Sequence, residues 1–389
     1  MNIVFVSNYI NHHTLPLAQT LYERLDGGFT FVETKKPEGG QAAFRRGYAY
    51  YMAGTDAADW PWVLPGWEQP ERARQLIVQA DAVVTANCSD EWVLARLRRR
   101  KLTFRAHERW YRNGLPWYKM PRAVLGAWLH HGRFPSLHLL SASAYTAGDA
   151  ARVGCFRGKA YRWGYFPAFR TYEPQRLHEA RNGPLPVILW AGRFVDWKRA
   201  DDALAVCGQL WAEGHRFRLR VAGDGPERER LCALTEDMDE AVCFLGQLSP
   251  EKLRGEMERS DIFLFTSDFQ EGWGAVLNEA MNSGCAVVAS HAAGSTPYLI
   301  RNGENGLVYP CGDRAALGAC IRRLLDSPAL RCALGLRAYE TIRAQWSPQA
   351  AAEGLIGLCQ ALAGCRLPTE GDGPGSPAPI VKNTWFHKE

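Results

Sequence analysis

The 389-residue chain reads as an α/β protein built from two doubly wound, Rossmann-like domains. Three observations predict this. Short apolar runs alternate with stretches of helical periodicity along nearly the whole chain, the pattern of βαβ units that assemble parallel sheets. The length exceeds what one core organises at roughly 150 residues per domain. Finally, the stretch from Phe166 to Pro186 carries four prolines and no strand or helix period, so it divides the chain as a linker.

The first half (1–165) predicts strands near Asn2–Val6, Phe29–Glu33, Ala82–Thr85, Leu102–Arg105 and Leu137–Leu140. Helical patterns at Leu15–Leu25, Glu68–Ala80, Asp90–Arg100 and Ala144–Val153 fall between them. After the linker (166–185), the second half (186–345) predicts strands near Val187–Ala191, Arg216–Ala222, Ala241–Leu245, Ile262–Phe265, Ala286–Ala289 and Gly306–Val308. Its helices are expected at Arg199–Glu213, Pro226–Leu234, Pro250–Arg259, Gly274–Ser283 and Arg314–Asp326. A last helix, Pro348–Leu362, has Ser347 as N-cap and Pro348 at its first position; the segment 346–365 is expected to pack back on the first domain. The Pro/Gly-rich residues 366–389 read as a flexible tail.

Apolar residues at 47% and charged ones at 22% fit an ordinary globular protein. The segment Met1–Val6 reads as a first strand rather than a leader, and no apolar run reaches the roughly 18 residues of a membrane span. Eleven scattered cysteines, an odd number without a Cys-x-x-Cys, read as reduced thiols and place the chain in the cytoplasm. Residues 1–180 hold 24 Lys+Arg against 15 Asp+Glu, whereas 181–389 hold 22 against 26. The excess lies in the Trp-rich region 96–128 and suits an anionic membrane face or an anionic acceptor; it equally suits a solvated basic face with the tryptophans in the core. A net charge of +5 is too mild and too local for nucleic acid.

The most informative local feature is a pair of carboxylates, Glu271 and Glu279, between two predicted buried strands. Glu271 falls in the loop at a strand's C-terminal end, where open α/β sheets bind ligands. Gly272 and Gly274 allow close backbone approach where the next helix begins, with free N–H groups for an anion. With that helix starting near Trp273, Glu279 lies almost two turns in, roughly 8–9 Å along the axis. The two carboxylates then contact opposite ends of one elongated ligand. A solvated helix start, with Glu271 against the dipole, is the plain alternative.

Three more segments converge on the same strand ends. Gly192, Arg193 and Lys198 follow the first strand of the second half, two cations suited to a diphosphate leaving group. Gly223-Asp-Gly-Pro226 forms a tight strand-to-helix turn, and the stretch from Leu245 through Gly246 to Pro250 offers backbone for a base pocket.

Together these residues resemble the donor-binding domain of the GT-B, family 4 (group 1) retaining glycosyltransferases. The likeness covers about residues 186–345. Its marks are Gly192-Arg193-x4-Lys198, the turn from Ala222 to Pro226, Phe244-Leu-Gly246, the Glu271-x7-Glu279 pair and the stretch from Asn302 to Val308. The resemblance implies two domains facing each other across a cleft that closes about the linker. It also implies a nucleotide-diphosphate sugar as donor, a glycan or lipid-linked acceptor, no cofactor and no metal. Arg193 and Lys198 would hold the diphosphate and Glu279 the ribose. Glu271 and the backbone of Gly272, Trp273, Gly274 and Ala275 would contact the sugar.

In the first half the family uses a Gly-rich loop after the first strand; here residues 8–14 contain no glycine, and Asn11, His12 and His13 supply hydrogen-bonding groups there. The adjacent histidines have no partner at metal-ligand spacing. His107 and Glu108 resemble the family's His-acid pair at the acceptor-side strand end, which implies that His107 contacts the donor sugar and aligns the acceptor hydroxyl; a histidine at a strand end also serves structure alone. Two other functions share this architecture. A nucleotide-sugar epimerase would need carboxylates in both halves, with Glu108 the first-half candidate. A non-catalytic nucleotide-sugar-binding subunit of a glycan assembly complex would tolerate the altered loop.

Overall fold

The computed structural model describes residues 1–36, 60–173, 183–238, 240–364 and 370–386. The middle of the predicted linker (174–182) and the tail residues 366–369 and 387–389 lie outside the described residues. The chain forms two units, one of residues 1–168 with 345–382 and one of residues 169–344 with 383–389.

The first unit carries a seven-stranded sheet. Its strands are β1 (Ile3–Ser7), β2 (Phe29–Glu33), β3 (Val63–Pro65), β4 (Ala82–Thr85), β5 (Thr103–His107), β6 (Leu137–Ser141) and β7 (Ala160–Arg162), in the order β3-β2-β1-β4-β5-β6-β7. All of these pairings are parallel. The strand runs are apolar without alternation because helices cover both faces. Val4, Val83 and Leu139 meet Ile77 and Leu97 in one of these buried layers. The two short strands β3 and β7 fall outside the sequence prediction, since three residues give no readable period. Helix Pro348–Ala363 belongs to this unit: Ser347 Oγ accepts the Ala350 N–H at its start, and Glu353 pairs with Arg24 of helix Leu15–Arg24 at 2.7 Å.

The second unit carries six parallel strands, β8 (Val187–Ala191), β9 (Arg218–Ala222), β10 (Val242–Gly246), β11 (Ile262–Phe265), β12 (Ala286–Ser290) and β13 (Leu307–Tyr309). Their order is β10-β9-β8-β11-β12-β13. Ile188, Val221, Leu264 and Val288 pack with Leu204 and Ile321 in its core. In both sheets the winding reverses at the centre, between β1 and β4 and between β8 and β11, and such reversals open a crevice at the strand C-termini.

The boundary between the units, after residue 168, falls within the predicted linker, and one expectation about the tail is corrected. The described linker residues are packed: Phe166 stacks on Trp346 in the first unit, and Phe169 stacks on Tyr339 in the second. The tail, expected to be flexible, is ordered over 370–386. Pro377 bridges Tyr161 in antiparallel fashion, the Arg162 N–H donates to the Ser376 carbonyl at 2.8 Å, and Arg162 pairs with Asp372. Further on, the Trp385 indole N–H donates to the His291 carbonyl at 3.1 Å in the second unit. Proline cannot donate to a ladder, yet it serves at an edge where its neighbours make the hydrogen bonds. Among the described residues no helix is long and apolar enough to cross a membrane.

Candidate functional site

The loops at the C-terminal edge of the second sheet are laced together by backbone hydrogen bonds. Gly192 N–H donates to Ala222 O at 3.0 Å, Phe194 N–H to Asp224 O at 2.9 Å and Gly223 N–H to Gly246 O at 2.8 Å. Asp268 N–H donates to Trp197 O at 2.8 Å, which ties the loop after β11 to the one after β8. Gly223 has φ +144°, and a Cβ there would lie 1.8 Å from the Gly192 carbonyl oxygen, so only glycine lets these loops meet. Gly192, Arg193, Gly223 and Gln247 line a cavity of 270 Å³. Arg193 is exposed at its mouth, with its guanidinium over the Trp197 ring at 5.5 Å.

Lys198 and Glu271, assigned to phosphate and sugar respectively, are brought together. The Lys198 ammonium donates to Glu271 Oε2, which also accepts the Ser267 hydroxyl at 3.0 Å. Thr266 Oγ1 anchors the arrangement, donating to Lys198 O at 2.7 Å and accepting from Trp190 Nε1 at 2.9 Å. Gly274 adopts φ +86° and precedes helix Ala275–Asn282, whose first-turn N–H groups open at this edge.

One detail differs from expectation. The helix begins at Ala275 rather than Trp273, so Glu279 stands about 6 Å along the axis, one turn in. The Trp273 side chain is fully buried and donates to Asn278 Oδ1 at 2.9 Å; only its backbone is available to a ligand. Glu279 is half-buried, and desolvation raises its carboxyl pKa against the opposing pull of Arg254 and Arg170. Among the described residues no donor hydrogen-bonds that carboxylate, so it is an acceptor suited to ligand hydroxyls.

The first unit holds a separate cavity of 380 Å³ at the C-terminal ends of its central strands, lined by Asn11, His13, His107, Glu108, Arg112 and Tyr165 among others. The glycine-free loop is held from both sides. Buried Glu33 accepts the Ile10 N–H at 2.8 Å, and Asn11 Oδ1 accepts the N–H groups of His13 and Thr14 at 3.0 Å each. The Asn11 Oδ1 is thereby committed to the loop's own turn while the residue still lines the cavity. Burial lowers His12 to about 4 and His13 well below the ordinary imidazole value, so both rings are neutral near pH 7. His13 stacks on Tyr165 at 5.3 Å.

The His107 ring is solvent-exposed by area, yet surrounding atoms lower its pKa; its Nδ1 meets the Glu108 carbonyl at 2.7 Å, which fixes the ring at the cavity edge. The Glu108 carboxylate is bound on both oxygens, by Tyr165 Oη and by Arg112, and is a poor candidate for an acid or base. Glu33 and Tyr165 were missed in the sequence: a glutamate ending a strand and a tyrosine beside the linker carry no motif.

The basic run divides between interior and surface. Arg96 is fully buried and donates to the carbonyls of Ile77, Ala80, Asp81 and Leu102 at 2.6–3.2 Å. Arg105 pairs with Asp90 at 2.5 Å, and Arg109 is buried against Asp149 and the Tyr145 ring. Among the described residues no group of three or more His, Cys, Asp or Glu has the disposition to hold a metal ion.

Residues 173–341 match the family described as Glycosyl transferases group 1. The lipopolysaccharide core biosynthesis glycosyltransferase LpsD of Rhizobium meliloti is 33% identical over 174 residues, 44% of this chain and 48% of that protein. The D-inositol 3-phosphate glycosyltransferase of Acidothermus cellulolyticus is 33% identical over 205 residues, 49% of this chain and 44% of that protein. The chain thus spans about half the length of the curated relatives it matches. Over 94% of its length it shares the GT-B fold with Anabaena HepE, solved in complex with UDP and glucose, at a TM-score of 0.63 and 16% identity, covering all of that chain.

Proposed function

We propose that this chain is a retaining glycosyltransferase of surface polysaccharide or glycoconjugate synthesis. It moves a sugar from a nucleotide-diphosphate sugar to a hydroxyl of a glycan or lipid-linked acceptor, without a metal, in the cytoplasm at the inner face of a membrane. One observation carries the reading: the interlocked strand-end loops of the group 1 domain gather Arg193, Lys198, Glu271 and a helix start around one sheet edge, beside a cavity sized for a nucleotide base. Two cations and helix N–H groups neutralise a departing diphosphate, a large contribution to lowering a glycosyl-transfer barrier. Lys198 exchanges Glu271 for phosphate when donor binds, which leaves the Glu271 carboxylate to the sugar. Glu279 accepts the ribose hydroxyls.

In the first unit, His107 aligns the acceptor hydroxyl. That hydroxyl attacks the anomeric carbon on the side from which the diphosphate leaves; the carbon–phosphate-oxygen bond breaks, and the hydroxyl proton passes to the departing phosphate. Positioning and charge stabilisation then supply the rate.

A thermal-shift panel of nucleotides and nucleotide sugars tests the donor assignment, since a ligand specific to the folded state raises its stability. HepE, solved with UDP, places uridine nucleotides first in the panel. The expected result is a shift with one nucleotide sugar that Glu279→Ala removes. A panel without any shift, or an undiminished shift in the variant, contradicts the reading.

A further inference from the structure

We infer that residues 117–133 form an interfacial element that docks the first unit on an anionic lipid bilayer. This extends the reading of a membrane-borne acceptor to a named surface.

The segment is a 3-10 turn at Trp117–Lys119, a helix at Met120–Ala127 and a wide turn at Trp128–Gly132. Its outer side shows large apolar groups to solvent: Trp117 is 83% exposed, Tyr118 62%, Leu125 57% and Trp128 55%, with Val124 and Leu129 beside them. Single exposed apolar residues are unremarkable, but six within thirteen positions of one short element call for a partner.

Charge selects which partner. Positions 109–148 contain no Asp or Glu, whereas Arg112, Lys119, Arg122 and Arg133 are all exposed there. Aromatic rings among Arg and Lys match the boundary between acyl chains and anionic headgroups, where each surface cation adds to binding within a Debye length. Among the described residues, the two carboxylates that reach this face from outside the stretch, Asp90 at His130 and Glu108 at Arg112, are already paired, so the cations at Lys119, Arg122 and Arg133 set its charge.

The inner side of the same element supplies a functional link. Ala123, Gly126, Ala127, His130 and His131 line a cavity of 430 Å³ that also takes in His107. His107 in turn lines the 380 Å³ cavity of this unit. The element therefore carries the apolar face and also borders the cavity that takes in His107, the arrangement a lipid-linked acceptor with its lipid in the bilayer requires.

The test uses the full chain with vesicles of phosphatidylcholine alone and of phosphatidylcholine mixed with phosphatidylglycerol, read by co-sedimentation at low and high salt. Quenching of tryptophan fluorescence by brominated acyl chains reports insertion. Wild type is expected to bind the anionic vesicles and to be released by salt. Trp117→Ser/Tyr118→Ser/Trp128→Ser is expected to lose at least about tenfold in affinity, and Lys119→Gln/Arg122→Gln several-fold per cation. Because these side chains are exposed, the variants should keep the wild-type thermal midpoint and nucleotide-sugar binding. Absence of binding to anionic vesicles at low salt, equal binding to neutral ones, or wild-type binding by the triple variant overturns the proposal. Concentration-dependent dimerisation abolished by the triple variant, without vesicle binding, assigns the face to a second copy and also overturns it. Loss of donor binding alone would instead sink the glycosyltransferase reading and leave this one standing.

Discussion

Lys198 and Glu271 form an ion pair with only 15% and 13% of their side-chain surfaces exposed, at the edge where the loops after β8 and β11 meet. Neither partner can be removed alone without stranding a charge that water barely reaches. Lys198→Ala and Glu271→Gln should each destabilise the fold, while the double variant should recover part of the loss, with a coupling of about 0.5–3 kcal/mol in urea unfolding. Turnover should respond differently. Lys198→Ala is expected to lower kcat by about two to three orders of magnitude, and the double variant should not restore it, because the diphosphate has lost its cation. Rescue of turnover by the second substitution would show that Lys198 acts only through Glu271.

Gly223 is the point where the loop after β9 passes over the loop after β8. Gly223→Ala places a methyl within bonding distance of the Gly192 carbonyl oxygen and demands a backbone shift at a left-handed φ. A loss of more than about 1–3 kcal/mol is expected. Donor binding should fall with it, since Gly192 and Arg193 line the same cavity. Circular dichroism melts together with nucleotide-sugar titrations check both effects; a variant with wild-type stability would disprove the close approach.

Acid should weaken the first unit through histidines that are neutral when folded. Burial lowers His138 and His12 to about 4 and His131 to about 3, from 6.5 when unconstrained. Below pH 6.5 the unfolded chain takes up protons that the folded chain refuses until about pH 4. Stability therefore falls as pH drops through that window and is unaffected by these groups above it, with a limiting slope of about 1.4 kcal/mol per pH unit for each imidazole. Asp149 in the same unit, whose carboxyl burial raises, acts in the opposite sense. The informative comparison is thus wild type against His138→Gln, which should show a shallower decline in urea midpoint between pH 6.5 and 4. Parallel declines would mean that His138 is solvated.

That these motifs share the C-terminal edge of the second sheet was legible because each of them ends a continuous apolar strand, and strand ends in a doubly wound sheet share one rim. Strands β2, β4, β8 and β11 lie where the apolar runs placed them for the same reason. Arg96 was not legible: a cluster of arginines reads as surface, and only the fold shows that one guanidinium ties together the carbonyls of Ile77, Ala80, Asp81 and Leu102. The burial of the Trp273 indole was not legible for a related reason, since a residue between two glycines looks exposed while its ring is in the core. The tail failed on composition, because proline and glycine describe what a segment cannot do by itself. They say nothing of the edge β7 offers it.

The lacing of the loops after β8, β9, β10 and β11 bears on any attempt to alter the donor. Main-chain groups of Gly192, Phe194, Gly223, Gly246 and Asp268 each find their hydrogen-bond partner on an adjacent loop. A chimaera that imports one such loop from a relative inherits a mismatched hydrogen-bond pattern on its flanks. Recombination breakpoints should therefore fall upstream of β8 and downstream of helix Ala275–Asn282, so that the whole rim is exchanged as one cassette.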